Sequence, residues 1–306
     1  MRLRPLAITA LLTIGGMAGC TLWLARDPVP YFMARRATTW RPEVAAPPAV
    51  DGHVTERVRL VAANGLRVDM QLRRPEDSSA TPVRRPVFLM LGGYATGDRA
   101  AQLIPDTRGN IVVALAYPYD GDVRVKGLAI LPVVPALRRA ILDTPPAVML
   151  AIDYVLSRPD VDSTRIELVG ASFGAPFGTV VGALDPRVTR VWSVHGAASP
   201  YRQIELNLRR RMGTPAREGV AALATLFASG WQLDPARWAP RISPRPFIML
   251  NAREDERMPR DAVDALYAAA RSPKEQIWLD GPHVQGNRRE VLAGLVDAVL
   301  RRSATP

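Results

Sequence analysis

Short apolar runs of strand length alternate with segments of helical period along most of this chain, and that alternation narrows the possible folds more than any other feature. Val87–Leu91, Ile111–Leu115, Ile166–Val169, Val188–Val194, Phe247–Leu250 and Gln276–Leu279 have the length and continuity of strands covered on both faces. Between them, Pro145–Leu156 predicts a helix: Asp143 or Thr144 can cap it, Pro145 suits its first turn, and Val148, Ile152 and Val155 share a face. A last helix is expected over about Arg288–Arg301, with Val291, Leu295 and Val299 inward. Arg57–Ala62 and Val68–Leu72 flank Asn64-Gly65 and predict an antiparallel hairpin ahead of the rest. The whole predicts an α/β fold, a mainly parallel sheet with helices on both faces.

One turn in this pattern carries chemistry. Gly170-Ala171-Ser172-Phe173-Gly174 directly follows the strand Arg165–Val169 and precedes a helix of small residues from Phe173 to about Ala183. A serine in a tight strand-to-helix turn is lifted out of the backbone, and glycines on either side let neighbouring chain come close. The helix N-terminus adds amides and a positive dipole end where negative charge would develop. Ser172 is therefore the candidate nucleophile; the competing reading is a glycine-rich turn with no chemistry.

Hairpin strands, a buried strand ending in Gly92-Gly93-Tyr94, the Ser172 turn, and a late Asp and His together resemble the α/β-hydrolase family, in the manner of serine esterases and dienelactone hydrolases. The resemblance covers about residues 55–302. It implies a Ser–acid–His order along the chain. Asn251–Pro259 resembles the family's acid loop, with Asp255 as the expected acid and Glu254 and Glu256 as competitors. Asp280-Gly281-Pro282-His283 puts His283 in the loop after the last strand, where the family keeps its base. His195, at the end of the Val188–Val194 run, precedes every acid candidate in that loop; it is expected to be a satisfied structural histidine or to line the pocket. His53 is expected to be solvated. The oxyanion donors implied are the amides of Phe173 and Tyr94, with Gly93 as the alternative to Tyr94. Residues 199–240 fall where the family inserts a helical cap. They include Tyr201, Phe227, Trp231 and Trp238 and the run Arg209-Arg210-Arg211, which can pair with an acidic substrate or face water.

Composition limits the other possibilities. The 306 residues are 48% apolar and 23% charged, enough to bury a large core. The net charge of +11 is spread over many segments, unlike a dedicated nucleic-acid site, and suits attraction to an anionic membrane surface. Arg2 and Arg4 precede an uncharged run from Leu6 to Ala25 that resembles an export signal. Two routes are open for residues 1–25. Met17-Ala18-Gly19-Cys20 resembles a lipobox with Cys20 as the acylated residue, or the run spans a bilayer of roughly 30 Å. Cys20 is the only cysteine, so a disulfide, a thiol nucleophile and a Cys-ligated metal are excluded from the folded part. Residues 26–54 carry Pro28, Pro30, Pro42, Pro47 and Pro48 and are expected to be an extended tether to a domain spanning 55–306.

The N-terminal run predicts an envelope protein, membrane-attached there with the domain extracytoplasmic; the resemblance implies that this protein is an enzyme. It would hydrolyse a small-molecule carboxylic ester through Ser172, Asp255 and His283, without cofactor or metal and without an obligate protein partner. A serine peptidase with the same triad, or a non-catalytic binding protein on this fold, are the alternatives.

Overall fold

The computed structural model describes residues 26–77, 82–94, 96–121, 125 and 127–304. The expected lipobox with Cys20, and the whole apolar run of residues 1–25, lie outside them. Among the described residues no helix is long and apolar enough to cross a membrane.

Nine strands form one sheet: β1 (Trp40–Ala45), β2 (His53–Ala62), β3 (Arg67–Pro75), β4 (Arg85–Leu91), β5 (Ile111–Leu115), β6 (Val161–Ala171), β7 (Arg190–Val194), β8 (Phe247–Ala252) and β9 (Lys274–Leu279). Their order is β1-β2-β3-β5-β4-β6-β7-β8-β9. The pairs from β1 through β3 to β5 are antiparallel, and every pair from β5 to β9 is parallel. The helices are α1 (Val29–Arg35), α2 (Val134–Leu156), α3 (Ala175–Leu184), α4 (Pro200–Leu208), α5 (Thr214–Phe227), α6 (Pro235–Trp238), α7 (Arg260–Ala269) and α8 (Arg289–Ser303).

The period of two along each central strand divides the core into layers. Leu89, Leu168, Val191 and Met249 belong to the large cluster that also holds Val148 of α2 and Val180 of α3. Their neighbours Phe88, Val169, Trp192 and Ile248 pack with Leu295 and Val299 of α8 on the opposite face. Burial on both faces is why these strands are continuous apolar runs in the sequence.

Two expectations need correction. Residues 26–54 are not an extended tether: α1 packs against α2, β1 pairs with β2 from Trp40↔Ala62 to Ala45↔Arg57, and His53 opens β2, with its Nδ1 2.9 Å from Asp51 O. Phe32 is fully buried, and Arg35 holds Asp143 through two hydrogen bonds of 3.0 Å. The Tyr31 hydroxyl donates to the same carboxylate at 2.5 Å, and burial with that bond pushes its pKa up to about 12. Pro42 is tolerated because β1 is an edge strand. The helix expected to begin at Pro145 instead begins at Val134, with Pro145 and Pro146 inside it. Each proline lacks an N–H for the helical ladder, yet burial of this segment keeps it helical. Thr144, expected as a cap, donates its hydroxyl to Ala140 O at 2.8 Å inside the helix.

The chain leaves β4 for β5 on one side and returns to β6 on the other. The crevice beyond the carboxyl ends of β4 and β6 is therefore the topological switch point, where α/β sheets bind ligands. The stretch 199–240 supplies α4, α5 and α6 between β7 and β8.

Candidate active site

Ser172 sits at that switch point, between the end of β6 and α3. Its φ of +54° is in the left-handed region, a conformation costly for a residue with a side chain and found where a surrounding structure enforces it. What enforces it here is close contact: a Cβ on Gly174 would run into Leu91 O of β4, and one on Gly170 would lie 2.7 Å from Gly174 O. The glycines let the turn fold tightly enough to present the hydroxyl beyond the sheet.

The structure brings Ser172, His283 and Asp255 together from three loops. Ser172 Oγ is 2.7 Å from His283 Nε2, and His283 Nδ1 is 2.9 Å from both carboxylate oxygens of Asp255. Asp255 Oδ1 also accepts from the amides of Arg257 at 2.9 Å and Met258 at 3.0 Å. The competing glutamates serve the backbone of the histidine loop instead. Glu254 accepts from Gly281 N–H, while Glu256 accepts from His283 N–H at 2.9 Å and pairs with Arg288 at 2.8 Å. Arg288 donates in turn to His283 O at 2.7 Å, so the loop is held at both ends of the histidine.

A second histidine shares the acid. His195 Nδ1 lies 2.6 Å from Asp255 Oδ2, and the His195 and His283 rings meet edge to face with centroids 4.8 Å apart. Both rings are 1% exposed. His195 takes φ +48°, its N–H donates to Leu250 O at 2.7 Å, and Asn251 Nδ2 donates to Gly196 O at 3.1 Å, which fixes this turn to β8. Sequence order sets His195 apart from the serine–acid–base series, and no local motif signals that it would meet Asp255 across sixty residues of chain.

Burial lowers the His195 pKa against the opposing pull of Asp255, so a neutral ring is favoured. For Asp255, burial alone would raise the pKa; the hydrogen bonds from His195 and His283 outweigh it and hold the carboxyl well below the usual carboxylate range. A carboxylate with two imidazole and two amide donors stays ionised at any pH near neutral. His195, Asp255 and His283 also offer ligand atoms within 4.8 Å of one another, a spacing that a cation could use.

The strand β4 loop faces Ser172 from the other side. Tyr117 donates its hydroxyl to Gly92 O at 2.5 Å, and Thr96 Oγ1 donates to Gly93 O at 2.8 Å. The rings of Tyr94 and Tyr117 stack, and Tyr94 meets the Phe173 ring with centroids 6.0 Å apart. The two residues expected to supply oxyanion amides are thus in contact across the mouth of the site.

No family model matches the chain. It is 32% identical over 144 residues to the uncharacterized protein YfhR of Salmonella typhi and, equally, of Salmonella typhimurium. That stretch is 44% of this chain and 45% of either relative, so the chain matches under half their length. Solved structures align over far more. The acetyl xylan esterase from Paenibacillus sp. R4 superimposes with a TM-score of 0.62 at 20% identity, covering 88% of this chain and 93% of that one. Acetyl xylan esterase 1 from Thermoanaerobacterium sp. JW/SL YS485 gives 0.61 at 20%, covering 89% and 92%. A cold-adapted esterase from an Arctic intertidal metagenomic library gives 0.53 at 17%, covering 87% and 99%. The chain has the α/β-hydrolase fold.

Proposed function

We propose that this chain is a serine hydrolase that cleaves carboxylic esters through an acyl-enzyme. The single observation that carries this is the unbroken hydrogen-bond series from Ser172 Oγ through His283 to Asp255, set at the switch point of the sheet. His283 Nε2 takes the serine proton as Oγ bonds to the substrate carbonyl carbon, and Asp255 fixes the tautomer and stabilises the imidazolium. The amides of Phe173 and Tyr94 would bind the oxyanion. Collapse expels the alcohol, which takes the proton from His283. Water then attacks the acyl-enzyme with His283 again as base, releasing the acid and freeing Ser172.

That structural relatives include acetyl xylan esterases and a cold-adapted esterase favours esters over amides. A panel of 4-nitrophenyl esters and aminoacyl anilides tests this: ester turnover abolished by Ser172→Ala supports it, and turnover confined to the anilides would make the chain a peptidase. We also propose that residues 1–25 attach the protein to a membrane, through acylated Cys20 or as an anchor, with the domain on the extracytoplasmic side.

A further inference from the structure

Two unlike cavities meet at Phe173, the residue after the nucleophile, and Ser172 itself lines one of them. On one side lies a groove of about 530 Å³ between the N-terminal part of α2, the 3-10 turn of Gly127–Val133 and α5. Its wall is made of Ile130, Leu131, Leu137, Leu223, Phe227 and Phe173, closed at the inner end by Tyr117 and Phe177. Leu131 and Leu223 are more than half exposed, an unusual state for large apolar side chains grouped together. Among the described residues the charged lining is Arg138 alone, whose Nε donates to Ser229 Oγ at 3.2 Å.

On the other side Ser172 opens into a cleft of about 660 Å³ between the end of α4 and the acid and base loops. Arg210, Arg211, Arg257 and Arg288 line it against one acid, Glu256, which Arg288 already pairs. Arg210, Arg211 and Arg257 are exposed and make no ion pair among the described residues.

We infer that the substrate is an amphiphile: a long acyl chain esterified to an alcohol or thiol that carries phosphate. This rests on the hydrolase reading above and names what that site takes. The acyl-enzyme carbonyl on Ser172 would send its chain past Phe173 into the apolar groove, where each added methylene leaves water. An acetyl group would leave almost the whole of that wall uncovered. The leaving group would then lie in the arginine cleft, where planar guanidiniums suit phosphate oxygens. The chemistry of acyl transfer is unchanged; only the two ends of the substrate are assigned.

Four substrates test this with the full-length protein: 1-dodecanoylglycerol 3-phosphate, dodecanoyl-coenzyme A, uncharged 1-dodecanoylglycerol and 4-nitrophenyl acetate. At least one phosphate-bearing substrate should exceed 1-dodecanoylglycerol in kcat/KM by about tenfold or more, with the preference weakening as salt is added. The faster of the two identifies the alcohol or the thiol. Arg210→Glu with Arg211→Glu should bring the phosphate preference close to one, while Arg41→Glu with Arg57→Glu, an equal charge change on exposed positions of β1 and β2, should leave it intact. Leu223→Asp should lower the dodecanoyl-to-acetyl ratio by about tenfold; all the substituted side chains are exposed, so unchanged circular dichroism would show an intact fold. Hydrolysis of 4-nitrophenyl acetate with no preference for dodecanoyl, or none for phosphate, would overturn this proposal alone. No turnover of any of the four, with Ser172 inert to a fluorophosphonate, would overturn the hydrolase reading and this proposal with it.

Discussion

His195 and His283 donate to the same carboxylate, and His195 makes the shorter contact with Asp255, 2.6 Å against 2.9 Å. His195 does not reach Ser172; it holds the acid that holds the base. Asn suits its position in two respects, since its amide can donate where Nδ1 does and Asn tolerates positive φ. His195→Asn should therefore keep kcat/KM within a few-fold, whereas His195→Leu, with neither property, should lose about 10- to 100-fold, the value of a hydrogen bond to a charged group.

The same histidine makes a pH prediction. Its folded pKa lies below the ordinary imidazole value of about 6.5, so as pH falls through about 6.5 the unfolded chain binds the proton first. Stability from this group is complete above that pH and is lost below it. Urea midpoints at pH 8 and pH 5.5 should differ in the wild type, and His195→Asn should reduce that difference. Equal slopes in both proteins would remove His195 from the pH response.

Asp255 and His283 should dominate turnover over their acidic neighbours. His283→Ala should cost about four orders of magnitude or more in kcat/KM, and Asp255→Asn about 10³- to 10⁴-fold. Glu254→Gln and Glu256→Gln keep an oxygen acceptor for Gly281 and His283 N–H and should cost far less. A crippled Glu256→Gln beside an active Asp255→Asn would reassign the acid.

Incubation with excess EDTA, followed by gel filtration, should leave ester turnover unchanged. Loss of activity restored by a divalent cation would instead give His195, Asp255 and His283 the role of metal ligands.

Truncation separates attachment from folding. A chain beginning at Arg26 keeps every described element and should be soluble and active, while one beginning at Ala46 loses α1 and β1 and should be markedly less stable. Phe32→Ala alone should cost about 3–5 kcal/mol, measurable by urea denaturation. Full-length protein should sediment with membranes, and release on Cys20→Ser would favour acylation over an anchor. Equal stability of the two truncated chains would mean α1 and β1 contribute nothing to the fold.

What was legible in the sequence follows from where side chains face. The central strands β4 to β8 are buried on both sides, so they appear as apolar runs, and the Ser172 turn needs its glycines locally. β1 left no such trace because most of its side chains face solvent, and α1 buries little besides Phe32. Pro145 misled because a proline that begins a helix and one packed inside a helix look alike in sequence. The contact of His195 with Asp255, and the pairing of an apolar groove with an arginine cleft around Phe173, depend on tertiary approach that spacing does not encode.

The central claim is that Ser172 is an activated nucleophile. Incubating the full-length protein with a fluorophosphonate and mapping the adduct by mass spectrometry tests it without knowledge of the substrate. The account predicts one adduct, on Ser172, lost in folded Ser172→Ala and strongly slowed in His283→Ala. Labelling at another serine, or none in folded wild-type protein, would contradict it.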